Sequence, residues 1–398
     1  MKNRSPLGLI FLTVFINLIG FGIVIPVLPL YAHRFSASAL VIGLLVAVYS
    51  VMQMIAAPML GKLSDRVGRK PVLLISIAGT AAGFLLMGLA KALPLLFVGR
   101  IIDGITGGNI STAQAYIADV TPPEQRSKKM GLIGAAFGLG FIFGPAIGGI
   151  MSRFSLAAPF FFAAGLAVLN AVLVWFFLPE SLTHEQRKQE GPSLAQVLHR
   201  PEGGRIRIVL ATYFTVTVAF SLMTATYPLF ASGRFGYSAS HIGYIFAALG
   251  LISAVIQGGL LGVLVRLFSD VGLTVGGAFL LAAGFLFLPL AQGAALFFAA
   301  TAAIAIGHSF MAAPLNALAS KSVGGSFQGR VLGGMQSAAS FARIIGPVLG
   351  GWMLDLDPAR PVGHSGRAAY WVGGFITLIS LVLAVRLFDN GRSHGRKT

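Results

Sequence analysis

Cysteine is absent from this 398-residue chain, which removes disulfide scaffolds, thiolate zinc sites, iron–sulfur clusters and cysteine nucleophiles by inventory. Charge is nearly as scarce. Asp, Glu, Lys and Arg make up 10% of the residues and apolar residues 56%, against about 25% charged in soluble domains. Twelve acids and 29 bases cannot cover a soluble body of this size, whereas a surface facing lipid needs no charge. The same composition excludes disorder. No phosphate-binding glycine loop of the ATPase kind is present, no catalytic cluster stands at either membrane face, and no cofactor or metal is expected.

What the chain has instead is long apolar runs. Reading for stretches of about 20 residues, the length a helix needs to cross a bilayer, gives twelve spans: 8–31, 40–61, 71–91, 94–118, 128–151, 157–178, 206–231, 240–265, 272–291, 294–319, 329–354 and 368–388. Lys2 and Arg4 precede the first as they would in a signal peptide. The apolar run is longer than a signal core and no small-x-small site ends it, so a retained helix is expected. An even number of spans puts both termini on one side, and the bases say which. Twenty-one Lys and Arg fall on the amino-terminal side and six on the other, with Arg100 and Arg343 inside spans. Both termini are therefore expected in the cytoplasm. The net charge of +17 is then mainly an orientation signal, with membrane lipid rather than nucleic acid as its partner.

The longest polar stretch follows the sixth span, and similar segments recur on either side of it. "IGLL" at 42–45 matches "IGYI" at 242–245, and "GPAIGG" at 144–149 matches "GPVLGG" at 346–351, at offsets of 200 and 202. Duplication is the simple reading. The expected organisation is an amino-terminal six-helix half over 1–178, a cytoplasmic linker over 179–207, a second half over 208–388 and a cytoplasmic tail over 389–398. Two such halves with a substrate site between them near the midplane are the architecture of one large class of secondary transporters.

Five segments, two of them overlapping, carry a family resemblance. "GKLSDRVGRK", Gly61 to Lys70, reads as a tight, Gly-bounded cytoplasmic turn and resembles the signature loop of the major facilitator superfamily. "IGFGIVIPVLP", Ile19 to Pro29, is similar to the first-helix motif of its twelve-span drug/proton antiporters. "GRIIDGITGG", Gly99 to Gly108, resembles their fourth-helix motif, and "GFIFGPAIGG", Gly140 to Gly149, the fifth-helix motif associated with antiport. "GITGGNISTAQAYIADVTPPEQR" resembles the tetracycline-efflux branch. The resemblance implies an all-α integral membrane protein of the major facilitator fold, with twelve helices in two pseudo-symmetric halves, working by alternating access. It implies a latch made by Gly61, Asp65, Arg66, Gly68, Arg69 and Asp119, with Asp65 near the start of helix 11, by Gly329, and Arg69 paired to Asp119. Gly140, Gly144, Pro145, Gly148 and Gly149 form the helix 5 motif, and small residues at this spacing also suit close helix packing.

An ionisable residue inside a span is costly and is a functional candidate by default. Asp103 is the carboxylate nearest mid-membrane, accompanied by Arg100, His308 and Arg343. Proton coupling needs a group whose proton affinity differs between two access states, and solvation and a nearby cation both change that affinity. Asp103 fits, although a permanent pair with Arg100 at i,i+3 is the competing reading; His308 titrates in the right range or bonds a neighbouring helix. Arg100, Asp103, Gly104, Gly107, Ser111 and Gln114 share one helical stripe, and Gln336, Ser340 and Arg343 another. Tyr213, Thr217, Phe220, Thr224 and Tyr227 alternate rings with hydroxyls, which suits flat amphipathic molecules and equally suits interhelical packing. Tyr49 and Gln53 add to that surface. Asn17 stands where relatives of this kind commonly carry an acid, which fits substrate binding or helix pairing better than proton carriage. The expected protein is a monomeric, proton-coupled exporter of amphipathic organic compounds in the inner membrane. The alternative is a symporter or facilitator for a small metabolite on the same fold.

Overall fold

The computed structural model describes residues 6–107, 109–181, 203–322, 328–357 and 366–394. They form α1 (Pro6–His33), α2 (Ala39–Val67), α3 (Arg69–Gly88), α4 (Leu93–Thr106), α5 (Asn109–Asp119), α6 (Pro123–Met151), α7 (Ala158–Phe177), α8 (Gly203–Phe235) and α9 (Ala239–Val255). A π-helical turn at Ile256–Leu260 then leads into α10 (Leu261–Phe287), followed by α11 (Ala294–Lys321), α12 (Gln328–Leu356) and α13 (Arg367–His394). There is no strand among the described residues. In lipid a backbone must satisfy its own donors and acceptors, and a helix does so within one segment. Nine helices among the described residues are long and apolar enough to span a membrane.

The difference from twelve has visible causes. Span 4 is broken: α4 ends at Thr106, Gly107 lies in a turn, and α5 restarts at Asn109. Spans 8 and 9 run together from Ala239 to Leu290, so the loop expected at 266–271 is helix kinked at Ser269, whose φ of 61° and ψ of 164° are non-helical. The eleventh span, with Gln336, Ser340, Arg343 and its glycines, falls short on hydropathy. Most of the expected linker, 182–202, lies outside the described residues, as does 395–398 of the tail. Residues 203–207 already form the first turn of α8, and α13 continues to His394.

The chain divides into two compact units, one of Met1–Lys188 with Ala231–Gly250 and one of Gln189–Phe230 with Leu251–Thr398. In the first, α1 packs along α6 and α3 lies against both α4 and α7. Lipid tails are as apolar as leucine, so helices associate through close packing, and small residues permit it. The crossing of α1 and α6 is backbone on backbone: a Cβ at Gly144 would fall 2.7 Å from Gly22 Cα and 2.8 Å from Ile19 O. We expect Gly144→Val to force the helices apart, at about 1–3 kcal/mol, and to lower the melting temperature and yield of folded protein. Gly138→Val, on the same helix with nothing within 4 Å, should be tolerated, and equal behaviour of the two would refute the packing argument.

In the second unit α10 packs on α11 and α13. Here Gly346 of α12 sits against Ser221 and Val218 of α8, and Ser221 Oγ donates to Ala342 O at 3.1 Å. Each unit thus seats the Gly-Pro segment of its fifth span on its own first span. A second correspondence was not visible in the sequence: Thr13 of α1 bonds Asn170 of α7 at 3.2 Å, and Thr215 of α8 accepts from Ser380 of α13 at 2.7 Å.

Candidate functional site

The segment resembling a signature loop is helix for most of its length. α2 continues through Gly61 and Asp65 to Val67, the chain turns at Gly68 alone, and α3 begins at Arg69. The Gly-bounded loop expected over 61–70 is therefore corrected to a one-residue turn. Gly68 has φ 107°, a region that favours glycine, and a Cβ there would fall 2.5 Å from Glu180 Oε2. The tight turn places Asp65 and Arg69 one helical turn apart. Arg69 Nη1 donates to Asp65 Oδ1 at 2.7 Å and to Ser64 Oγ at 2.7 Å, while Nε donates to Asp119 Oδ2 at 2.9 Å. The Arg69 side chain is 9% exposed and Asp119 15%, while Asp65 is half exposed, so the Arg69–Asp119 side of the cluster is the part held out of water.

Glu180 completes this cluster. Gly68 offers no side-chain cap to α3, and the first amides of a helix need external acceptors. Glu180 supplies both oxygens, accepting from Arg69 N at 2.9 Å and Lys70 N at 3.0 Å, with its charge at the favourable end of the helix dipole. Ser181 Oγ donates to Asp119 Oδ2 at 3.1 Å. Of the expected latch residues, the structure brings Asp65, Gly68, Arg69 and Asp119 together; Gly61 lies inside α2 with open space around it, and Arg66 is exposed. Gly329 belongs to the first turn of α12, and the approach to it, 323–327, lies outside the described residues.

A second cluster lies inside the first unit. Arg100 and Asp103 of α4 are 2% and 4% exposed, and Arg100 Nη1 reaches Asp103 Oδ2 at 3.3 Å. Strong charge-assisted bonds run at about 2.7–2.9 Å, the lengths found around Arg69, so this pair is the looser of the two. The Arg100 guanidinium stacks over Tyr49 of α2 at 4.4 Å, and its Nε makes no hydrogen bond among the described residues. Gln53 Nε2 donates to Tyr49 Oη at 3.1 Å and to Gly107 O at 2.8 Å, tying α2 to the break after α4. That break interrupts the expected stripe: Arg100, Asp103, Gly104 and Gly107 are buried, whereas Ser111 and Gln114 on α5 are exposed. Asn17 lines a small cavity between α1, α3 and α7.

The helix 5 glycines each have a specific neighbour. Gly140 packs on Leu18, Gly144 on Gly22 and Gly148 on Ile23, all of α1, while Gly149 faces Ser240 and Gly243 of α9. Pro145 O would stand 2.6 Å from a Cβ at Gly243. Just beyond, Arg153 Nε donates to Ser240 Oγ at 3.1 Å and its guanidinium lies 5.5 Å from the Tyr244 ring.

In the second unit the α8 stripe divides. Tyr213, Thr217, Phe220 and Thr224 are partly exposed, but Tyr227 is 0% exposed and its hydroxyl meets Thr301 Oγ1 at 3.1 Å, so it has no surface for a substrate here. His308 stacks on Phe220, ring centroids 3.9 Å apart. On α12, Arg343 Nη2 reaches Ser340 Oγ at 3.4 Å and Gln336 is exposed.

One further pair escaped sequence reasoning. "FSDVG" at 268–272 is a shortened echo of "LSDRVG" at 63–68, and its Asp270 bonds Lys321, at the end of α11, at 2.5 Å. Where the first unit sets a base on its third span against an acid ending its fourth, the second sets an acid against a base. Lys321 is 67% exposed, so Lys321→Ala should cost no more than about 1 kcal/mol. A thermal-melt loss well above that would show the pair to be far stronger than its exposure allows.

Among the described residues no group of three or more His, Asp or Glu could hold a metal ion. The sequence profile of the Major Facilitator Superfamily matches residues 10–347 and again 260–398. The chain is 35% identical to the class B tetracycline resistance protein of Escherichia coli over 267 residues, 65% of each chain and so just under two thirds of that protein's length. It is 32% identical to multidrug resistance protein 2 of Bacillus subtilis strain 168 over 259 residues, 64% of this chain and 65% of that protein. The human organic anion transporter MFSD10 shares the fold, with a TM-score of 0.70 at 23% identity, covering 95% of this chain and 98% of its own.

Proposed function

This chain belongs to the major facilitator superfamily, and we propose that it exports amphipathic organic compounds, tetracycline-like antibiotics among them, in exchange for protons. It is a multi-pass inner-membrane transporter; its tetracycline- and multidrug-resistance relatives support drug as cargo and the proton as counter-ion. In this reading it is a monomer with cytoplasmic termini, its two six-helix halves joined by a linker that ends where α8 begins at Gly203.

The observation that carries the coupling assignment is the Arg100–Asp103 pair, buried yet loosely bonded. Topology has no use for charge there, and an ion pair inside a membrane helix persists because it does something. Asp103 is the proton carrier in this reading. Protonation removes its attraction for Arg100, which keeps the Tyr49 face as partner. His308, packed ring to ring on Phe220, and the partly exposed Tyr213, Thr217 and Thr224 serve as cargo surface, with Gln336, Ser340 and Arg343 on α12. The Asp65–Arg69–Asp119 cluster is the latch that differs between access states.

The test is tetracycline accumulation in everted membrane vesicles. An imposed inside-acid gradient should drive accumulation and added tetracycline should dissipate the gradient, both abolished by an uncoupler. Uptake indifferent to the gradient would remove antiport and leave a facilitator.

A further inference from the structure

A set of buried polar groups in the first unit is unused by the mechanism above. α1, α3 and α7 enclose a cavity of ≈ 10 Å³ lined on its polar side by Asn17, Thr80 and Asn170, with Phe84 among its apolar walls, and a space of about this size holds one water. Thr80 is 3% exposed, and its Oγ1 is buried without a hydrogen bond among the described residues. Asn170, equally enclosed, accepts from Thr13 at Oδ1. Wholly apolar cavities stay dry; this one is apolar over most of its wall, but it has three hydrogen-bonding side chains at which one water can be held, and a buried hydroxyl with no partner is costly.

The position of Thr80 gives this cavity a second neighbour. One turn further along α3, Gly83 packs against Asp103, where an added Cβ would fall 3.0 Å from Asp103 Cβ, which sets Thr80 one turn along α3 from the Asp103 side chain. Among the described residues the ionisable groups facing Asp103 are Arg100 on its own helix and, across Arg100, Tyr49 on α2. α3 presents Gly83 and Thr80, neither of which titrates.

We propose that this cavity is a binding site for a single water molecule, held by Thr80, Asn17 and Asn170, and that through Thr80 this water supports both protonation states of Asp103. The second half rests on the reading of Asp103 as proton carrier. A hydroxyl has one donor and two acceptor positions. With Asp103 ionised, Thr80 O–H turns toward the carboxylate and accepts from the water. With Asp103 protonated, the carboxyl O–H points at Thr80 Oγ1, whose own hydrogen turns to the water oxygen. No bond to oxygen breaks within the relay; the water gives the hydroxyl a partner in either orientation. Thr80 is thus a positioning residue.

The test is X-ray hydroxyl-radical footprinting of the purified full chain in ¹⁸O-labelled water, because radicals born from a trapped water label the side chain beside it. Phe84 should take up label in wild type and in Thr80→Ser, and should fall in Thr80→Val to the level of Phe160, a fully buried ring. Phe84 no brighter than Phe160 in wild type overturns the water site. Gradient-driven transport is the second readout. Thr80→Val should displace its pH profile by about one unit, a tenfold change in proton affinity, with Thr80→Ser restoring it. An unmoved profile with loss of label removes the water from the proton step. Label that persists while Asp103→Asn still couples leaves the site standing and brings down the Asp103 reading instead.

Discussion

Asp103→Asn is expected to reduce gradient-driven uptake in everted vesicles to the level of membranes lacking the protein, while gradient-free exchange of substrate across the same membranes survives. Asparagine keeps the size of the side chain and an oxygen for Arg100 but can neither lose nor gain the coupling proton. The substitution also leaves the buried Arg100 guanidinium without its counter-charge, and breaking a buried pair this way costs about 3–5 kcal/mol. The Tyr49 ring beneath it is unchanged by the substitution and stays as the partner of the Arg100 guanidinium. Asp103→Glu separates folding from coupling, since it restores the charge at a displaced position. It should couple weakly and melt near wild type. Wild-type coupling in Asp103→Asn would take Asp103 out of the mechanism.

Arg69→Ala should be the most destabilising single change at the cytoplasmic cluster. It strips partners from Asp65, Asp119 and Ser64 together and leaves Asp119, 15% exposed, as a nearly enclosed anion close to Glu180, to which it is linked through Ser181. The expected loss is about 3–5 kcal/mol, read as a lower melting temperature, together with slower transport of every substrate alike. Arg69→Lys retains the charge but not the planar fork that reaches two carboxylates, and should fall between. An effect confined to one substrate would contradict a latch, and wild-type melting of Arg69→Ala would contradict the cluster itself.

The sequence made the spans, the basic bias and the Gly-Pro segments legible because each rests on local composition or on period. It also made Arg69–Asp119 expected, through resemblance. What it hid depends on contacts across long separations or on backbone continuity. Nothing in "GKLSDRVGRK" announces that α2 runs to Val67, since Gly61 and the charges read as turn formers while the end of the helix is tied by the bonds of Ser64 and Asp65 to Arg69. Gly107 breaks span 4 inside a stretch that reads as one continuous span, 94–118. Glu180 looked like the first charge of a linker, and its role appears only once α7 ends beside α3. Thr80 was one hydroxyl among many in apolar helices, distinguished only by the cavity it faces.

The cap on α3 has a consequence in time. Lys70 N and its acceptor on Glu180 are 110 residues apart, and ribosomes add about 5–20 residues per second. The third helix therefore waits on the order of 5–20 s for its terminal acceptors, with the Gly68 turn unsealed until the sixth span has been delivered. The amino-terminal unit should close late in its own synthesis. A nascent chain arrested shortly before Glu180 should be cut by protease at the α2–α3 turn, and one arrested well past it should resist.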